Sequence, residues 1–203
     1  MKIICVGRNY AAHAKELNNS VEEEPVIFLK PDTALLNNNQ DFYLPDFSND
    51  IHYETEVVVK INKAGKHIDE KFAHRYYDTV SLGIDFTARD LQSMLKAKGL
   101  PWERAKAFDG SAVIGSFLPL ADVGKISDLS FSMNLNGQQV QSANTSEMVF
   151  SVDKVIAFVS RFITLKTGDL IYTGTPQGVG KVSVGDNLVG FLGDKELFNF
   201  KVK

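Results

Sequence analysis

Short runs of alternating apolar and polar residues, divided by glycine, proline and asparagine, dominate the chain and predict a strand-rich fold. The predicted strands span residues 2–6, 26–30, 52–61, 80–85, 111–117, 131–135, 138–142, 170–173, 188–192 and 196–202. Two turn pairs, Asn136-Gly137 and Gly193-Asp194, predict hairpins between the strands that flank them. We expect one domain of mostly antiparallel or mixed sheet with about three helices.

Three segments show the helical spacing of apolar residues. Ser151 precedes an apolar stripe over 152–163, and Thr87 with Asp90 forms a capping-box pattern before a second helix. The third helix, over 10–17, has only about two turns, and a helix this short is marginal on its own. We expect it either to dock on the rest of the fold or to remain mobile.

The bulk composition limits the classes of function. With 203 residues, 44% hydrophobic residues and a formal net charge of −3, the chain lacks the basic surplus that nucleic acid or an anionic membrane attracts. Its apolar runs are far shorter than the roughly 20 residues of a membrane-spanning helix. Cys5 is the single cysteine, which excludes an internal disulfide and a zinc–cysteine site. We therefore expect a cytoplasmic protein that binds neither nucleic acid nor membranes.

Two acids interrupt the most apolar of the predicted strands. Glu54 and Glu56 would share one face of an extended strand, about 6.5–7 Å apart, because alternate side chains point the same way. Solvent could neutralise them if that face is exposed. The run Val57, Val58 and Val59 instead predicts a strand that is buried on both faces. A buried carboxylate pair either raises one pKa or binds a cation, and a hard divalent ion with oxygen ligands fits it best.

Three further features carry candidate chemistry. Asp85 ends a buried strand beside a predicted helix start, where it would be an additional capping acid or a functional carboxylate. His13 and Glu16 are spaced i, i+3 and lie side by side, as a solvated ion pair or as a functional pair. The glycine loop at 174–180 does not end like a phosphate-binding loop, but its N–H groups and the Thr175 hydroxyl suit a small anion such as a carboxylate.

Six motifs follow one another along nearly the whole chain: Gly7-Arg8-Asn9-Tyr10 with His13 and Glu16, Phe28-Leu29-Lys30-Pro31, His52-Tyr53-Glu54-Thr55-Glu56, Asp85-Phe86-Thr87-Ala88-Arg89-Asp90-Leu91-Gln92, Gly99-Leu100-Pro101-Trp102 with Lys106, and Thr173-Gly174-Thr175-Pro176-x-Gly178-Val179-Gly180. Each motif alone is weak, whereas six in this order are specific. The chain thereby resembles the fumarylacetoacetate hydrolase family, in particular its short branch of acylpyruvate hydrolases and oxaloacetate decarboxylases. The resemblance implies an α+β fold, the family's mixed β-roll with a few short flanking helices. It also implies a single catalytic domain over 1–203, a mobile lid at 10–17 and a homodimer.

The resemblance also implies roles for particular residues. Glu54, Glu56 and Asp85 would be the metal ligands, and an all-carboxylate set selects Mg²⁺ or Mn²⁺, with Ca²⁺ as a substitute in crystals, over zinc. His13, oriented by Glu16, would take a proton from an attacking water.

Four more residues receive roles in the same way. Lys106 would stabilise the negative charge that develops during the reaction. Arg89, Gln92 and Thr175 resemble the family's substrate-contacting positions, although Arg89 would equally serve to brace the metal ligands.

These roles imply a divalent-metal-dependent hydrolase that cleaves the C3–C4 bond of acylpyruvate-type 2,4-dioxo acids. The metal would hold the departing pyruvate as its enolate, which is Lewis-acid catalysis. The same chemistry would decarboxylate oxaloacetate without an attacking water, so His13 should matter less there. A 2-oxo-pentenoate hydratase or a related isomerase or decarboxylase of the family would use nearly the same ligands.

Two readings from other classes compete with this one. A retaining glycosidase also uses two acids, at about 5–5.5 Å, but needs no metal, so activity that resists a chelator would favour it. A non-catalytic binding module stabilised by a metal is the other reading. His13, Glu16 and Lys106 argue against that module, because it has no use for an acid–base pair.

Overall fold

The computed structural model describes residues 1–16, 23–37 and 39–203. The strands there are β1 Ile3–Gly7, β2 Val26–Lys30, β3 Leu35–Leu36, β4 Ile51–Tyr53, β5 Thr55–Ile61, β6 Tyr77–Asp85, β7 Thr87–Ala88, β8 Ala112–Ile114, β9 Leu118–Pro119, β10 Ser130–Leu135, β11 Gln138–Asn144, β12 Leu170–Tyr172, β13 Gly180–Lys181, β14 Asn187–Leu192 and β15 Lys195–Lys201. The α-helices are α1 Ala11–Glu16, α2 Glu70–Ala73, α3 Arg89–Ala97, α4 Glu103–Lys106 and α5 Val152–Phe162. Leu17, the last residue of the helix predicted over 10–17, lies outside the described residues.

A central mixed sheet organises the fold. Its strands follow the order β2-β1-β12-β5-β6-β8-β3, and β9 pairs with the N-terminal half of β6. The pairs β1/β12 and β3/β8 are parallel, and the remaining pairs of this sheet are antiparallel. Together with the short helices, this curled mixed sheet confirms the predicted α+β class.

Two smaller sheets and one longer helix close the core. The sheets run β11-β10-β14-β15 and β13-β4-β7. Both predicted hairpins form, β10/β11 around Asn136-Gly137 and β14/β15 around Gly193. Ser151 caps α5 as predicted, since its hydroxyl accepts a hydrogen bond from the Lys154 N–H at 3.1 Å. None of the helices in the described part of the chain has the length and apolar character that a membrane crossing requires.

The acidic strand differs from its prediction at one position. The prediction of a continuous strand over 52–61 is wrong, because β4 and β5 are separated at Glu54. Strand β4 pairs with β7 and β13, whereas β5 pairs with β6 and β12 in the central sheet. The chain therefore changes sheets at Glu54. Burial of β5 on both faces is confirmed, since Val57, Val58 and Val59 are fully buried.

The start of α3 also differs from its prediction. The capping box is wrong, because α3 begins after Ala88 and no side chain caps it. Thr87 lies in β7, and its hydroxyl accepts a hydrogen bond from the Lys106 ammonium at 2.6 Å. Asp90 accepts a hydrogen bond from the Ser48 hydroxyl at 2.6 Å. Tertiary partners thus replace the local cap.

Candidate active site

Three acids converge at one end of the β5/β6 pair. Glu56 is the second residue of β5, Asp85 is the last residue of β6, and Glu54 occupies the break before β5. The Asp85 N–H donates to the Glu54 carbonyl at 2.8 Å, which keeps the two acids level across the pair. One carboxylate oxygen from each acid lies within 4.8 Å of the other two, and all three residues are buried. The predicted ligand set therefore comes together in the fold.

Three buried or half-buried cations contact two of these acids. The Lys106 ammonium lies 2.7 Å from Glu54 Oε2 and 2.6 Å from Asp85 Oδ2. The Lys30 ammonium lies 2.6 Å from Asp85 Oδ1, and Arg89 Nη2 lies 2.5 Å from Glu54 Oε1. Each carboxylate oxygen carries two lone pairs, so a contact with one cation leaves a lone pair for a second. The cations hold Glu54 and Asp85 in place without preventing metal ligation.

The pKa values of the two glutamates move in opposite directions. Burial would raise the pKa of Glu54, but the charges of Lys106 and Arg89 outweigh burial and hold it well below its ordinary value. Burial raises the pKa of Glu56 well above its ordinary value, and the charges of Asp85 and Glu54 raise it further. The Gly174 N–H, 2.7 Å from Glu56 Oε2, opposes this rise only in part.

The unfavourable ionised form of Glu56 and the chemistry of the donor atoms together indicate whether a metal fits this site. A divalent cation among the three carboxylates would stabilise the ionised form of Glu56, which the protein's own charges leave unfavourable. The donor set consists of oxygen atoms alone, which suits Mg²⁺ or Mn²⁺. The residues present therefore fit a hard divalent cation.

Helix α1 brings a histidine to the same cavity. His13 is buried, lines the cavity with the three acids, and has its Nδ1 3.0 Å from Glu16 Oε2. A carboxylate only accepts, so Nδ1 carries a proton, and in the neutral imidazole the lone pair is therefore on Nε2. The second Glu16 oxygen accepts the Gly178 N–H at 3.1 Å, which ties α1 to the glycine loop.

Eight of the nine predicted site residues line one cavity, and the ninth, Glu16, contacts His13. Arg89 both braces Glu54 and donates to Gln92 Oε1 at 2.7 Å. The Lys106 ammonium has its three donors on Glu54, Asp85 and Thr87, so contact with a bound anion would require it to exchange one of these bonds.

Two buried residues of the site escaped the sequence reasoning. Lys30 closes strand β2 and donates to the Ser111 carbonyl at 2.9 Å while it contacts Asp85. Its signal was a lysine between an apolar strand and Pro31, a position with little access to water. Gln141 in β11 is 1% exposed and bonds to Thr175. It gave no signal, because it stands in a mostly polar run, between Val140 and Ser142, where a solvent-facing residue is expected.

A cavity with three convergent carboxylates and an oriented imidazole is what a divalent-metal-dependent enzyme requires. The family model for the C-terminal domain of fumarylacetoacetate hydrolase matches residues 2–202. The chain belongs to the fumarylacetoacetate hydrolase family, as its motifs indicated.

Individual relatives cover nearly the same span. The chain is 40% identical to oxaloacetate tautomerase YcgM of Escherichia coli over 188 residues, 92% of this chain and 86% of the relative. It is 43% identical to a mitochondrial oxaloacetate decarboxylase of Dictyostelium discoideum over 185 residues, 91% of this chain and 85% of the relative. Among solved structures, fumarylpyruvate hydrolase from Pseudomonas aeruginosa in complex with Mn²⁺ and pyruvate aligns with a TM-score of 0.94 at 37% identity, covering 100% of this chain and 89% of that one.

Proposed function

We propose that this protein is a divalent-metal-dependent enzyme that cleaves the C–C bond of acylpyruvate-type 2,4-dioxo acids and also decarboxylates oxaloacetate. Glu54, Glu56 and Asp85 would hold Mg²⁺ or Mn²⁺. The observation that carries the proposal is the meeting of these three buried carboxylates in one cavity with His13. The named activities of the relatives, oxaloacetate decarboxylase and fumarylpyruvate hydrolase, support it.

The charges around the cavity favour an anionic substrate. The three carboxylates are balanced by Lys30, Lys106 and Arg89, so a divalent cation brings two positive charges in excess. Arg8 and Lys96 also line the cavity, and the Lys96 ammonium adds to this excess. Burial lowers the pKa of Lys96, and the charges of Arg8 and Arg89 lower it further. A dicarboxylic 2-oxo acid would relieve this repulsion, and Arg89, Gln92 and Thr175 offer donors to its carboxylate.

Each of these residues has a separate role in the proposed hydrolytic step. Nε2 of His13 takes a proton from water, and the water oxygen forms a bond with C4. The C3–C4 bond then breaks, and the electron pair of that bond moves to the 2-oxo group. The same proton can return to C3, which releases pyruvate and a carboxylic acid in balance. Glu16 holds the imidazole tautomer, and Lys106 stabilises negative charge near the ligands. A bound cation supplies Lewis-acid stabilisation of the charge on the 2-oxo oxygen.

A panel of 2-oxo acids tests the proposal. Purified protein would be assayed with Mg²⁺ or Mn²⁺, and with EDTA, on 2,4-dioxo acids, oxaloacetate and 2-oxo-pentenoates. We expect metal-dependent release of pyruvate from the first two classes. Activity that persists in EDTA would contradict the proposal, as would turnover confined to 2-oxo-pentenoates, which would instead assign a hydratase.

Tautomerisation of oxaloacetate is a second candidate, favoured by the 40% identity to a relative that carries this name. The reaction moves a proton between C3 and the 2-oxo oxygen, and the free Nε2 of His13 suits the carbon end of that transfer. Ultraviolet decay of the enol form, followed beside CO₂ release, separates the two activities. Fast enol decay with no increase in CO₂ release would establish the tautomerase and exclude the decarboxylase.

The remaining features are proposals as well. We propose a single catalytic domain over 1–203, with 10–17 as a lid that closes over bound substrate, a homodimer and a cytoplasmic location. Light scattering of the purified protein tests the dimer, and a mass near 22.5 kDa would contradict it. Fractionation of the source cells tests the location.

A further inference from the structure

A buried glutamine reaches the candidate site from the four-stranded sheet. Gln141 of β11 is 1% exposed, and its amide contacts two walls of the site at once. Its Oε1 accepts the N–H of Thr55, the residue between Glu54 and Glu56, at 3.0 Å. Its Nε2 donates to Thr175 Oγ1 at 2.9 Å and to the Pro176 carbonyl at 3.1 Å.

The partners fix which way this amide points. The Thr55 N–H can only donate, so the atom facing it must be the amide oxygen. The Pro176 carbonyl can only accept, so the atom facing it must be the amide nitrogen. A flipped amide would place two donors together on one side and two acceptors together on the other. Gln141 is therefore an obligatory donor toward Thr175.

This donor determines what the Thr175 hydroxyl can do. An oxygen that accepts a hydrogen bond from Gln141 must direct its own hydrogen elsewhere. Among the described residues, the acceptor closest to a bond with that hydroxyl is the Pro176 carbonyl, at a long 3.5 Å. Thr175 lines the cavity of the three acids, so its hydrogen is available to an anion bound there.

The glycine loop packs closely against strand β11 at this contact. Gly178 has a φ of +94°, and an added Cβ would lie 2.4 Å from the Val140 carbonyl, the residue before Gln141. Strand β11 and the loop therefore touch through their backbones, and the Gln141 amide sits within that contact.

We propose that Gln141 is a positioning residue that turns the Thr175 hydroxyl into a donor toward the carboxylate of the substrate. The inference rests on the proposed function, because it takes the ligand to be a 2-oxo acid. It adds a residue that lies outside the cavity and that acts through Thr175 and the backbone of Thr55. Its loss should weaken substrate binding while metal binding and the chemical step are retained.

Two substitutions of Gln141 test this role, one that reverses its hydrogen bond with Thr175 and one that removes it. In Gln141→Glu, at a pH where the new carboxyl group is ionised, it can only accept, so Thr175 must turn its hydrogen away from the cavity. In Gln141→Met, the shape is kept and the hydrogen bonds to Thr55, Thr175 and Pro176 are lost at any pH. Gln139→Glu makes the same charge change at an exposed position of β11 and serves as the matched control. Thr175→Val reports on the hydroxyl itself.

The readouts are KM and kcat with Mn²⁺, the Kd for Mn²⁺ and the Kd for pyruvate. For both Gln141 variants we expect KM and the pyruvate Kd to rise about 10–100-fold, the loss of one hydrogen bond to a charged group. We expect kcat and the Mn²⁺ Kd to stay within about threefold of wild type. Thr175→Val should add nothing when combined with Gln141→Met, because both variants act on the same hydroxyl.

Each other result overturns the inference. Folded Gln141 variants with wild-type KM, or effects that add fully to those of Thr175→Val, would show that the two residues act separately. Failure of both variants to fold would make Gln141 a residue of stability alone. If wild-type protein neither turns over nor binds any 2-oxo acid, the proposed function itself fails, whereas an active wild type with indifferent variants removes only the role of Gln141.

Discussion

The floor of the candidate site and the helix that carries His13 are built in different ways. The floor is formed by Glu56 and Asp85 on β5 and β6, two long strands in the middle of the central sheet, and two buried lysines contact Asp85. Helix α1, which we call the cover because we propose it as a lid, has six residues, and its Glu16 contacts both His13 and Gly178. A buried floor suits metal binding, and a short helix suits a base that must admit substrate.

This difference teaches that binding and proton transfer can be separated by mutation. Changes in the floor should remove the metal and every activity with it. Changes in the cover should remove only the reactions that need a water or a proton. Five expectations follow, ordered by size.

The largest effect is expected when a ligand of the floor is removed. Glu56→Gln deletes the carboxylate whose charge the metal would compensate, so Mn²⁺ binding should weaken by more than about 100-fold, and both hydrolysis and decarboxylation should be lost. Calorimetry with Mn²⁺ measures the affinity. Glu196→Gln, at an exposed position, is the control. Unchanged Mn²⁺ affinity in a folded Glu56→Gln variant would remove Glu56 from the ligand set.

A change in the cover should split the two reactions. His13→Ala removes the group that we propose takes a proton from water, so acylpyruvate cleavage should fall by about 100–10,000-fold while oxaloacetate decarboxylation stays near wild type. His74→Ala changes an exposed histidine and controls for the substitution. Equal loss of both activities would mean that floor and cover do not divide the work in this way.

Removing the Lys30 ammonium, which contacts Asp85, should lower the free energy of unfolding. Lys30→Met leaves the buried Asp85 carboxylate without one of its two lysine partners, and the free energy of unfolding of metal-free protein should fall by about 3–5 kcal/mol. Urea unfolding measures it. Lys71→Met, which breaks an exposed ion pair with Asp69, should have a far smaller effect. A Lys30→Met variant as stable as Lys71→Met would mean that Asp85 is not held by charge.

A milder change in the cover tests how His13 is oriented. Glu16→Gln keeps the contact with Gly178 possible but removes the carboxylate that holds Nδ1 of His13, so kcat for hydrolysis should fall about 10-fold. Decarboxylation measured in parallel should not change. If kcat matches wild type, Glu16 holds the loop and does not act on His13.

The smallest effect concerns the protonation of the Glu56 carboxyl group. The raised pKa of Glu56 means that metal-free folded protein holds a proton more tightly than the unfolded chain, whose glutamate has the ordinary value of 4.5. The contribution of Glu56 to the stability of the metal-free protein should therefore be greatest below that value and fall as pH rises toward the raised pKa. Mn²⁺ binding should strengthen with pH over the same window by at most about tenfold per unit and release up to about one proton. Calorimetry in two buffers of different ionisation enthalpy measures the release, and binding without proton uptake or release would contradict it.

The sequence predicted the strands of the floor better than it predicted the residues that contact them. Periodicity located β5 and β6, and the valine run beside Glu56 indicated burial, because a strand covered on both faces must be apolar on both faces. The hairpins followed from turn chemistry that is local to a few residues. The family motifs, and not the periodicity, joined Asp85 to the other acids, since spacing along the chain does not reveal which strand ends meet.

The errors share one physical cause. The chain leaves one sheet for another at Glu54, and Thr87 gives its hydroxyl to Lys106 instead of to a helix end. Lys30 and Gln141 were missed because their partners lie 81 and 86 residues away in the chain. Contacts at such separations override local preferences and leave no local pattern.

The most direct measurement is anomalous diffraction from crystals of the protein soaked with Mn²⁺ and pyruvate. The account predicts one manganese peak within about 2.0–2.3 Å of an oxygen from each of Glu54, Glu56 and Asp85, with pyruvate completing the coordination and His13 facing it. A manganese peak elsewhere, or the Lys106 ammonium between the three carboxylates with no metal bound, would contradict the account.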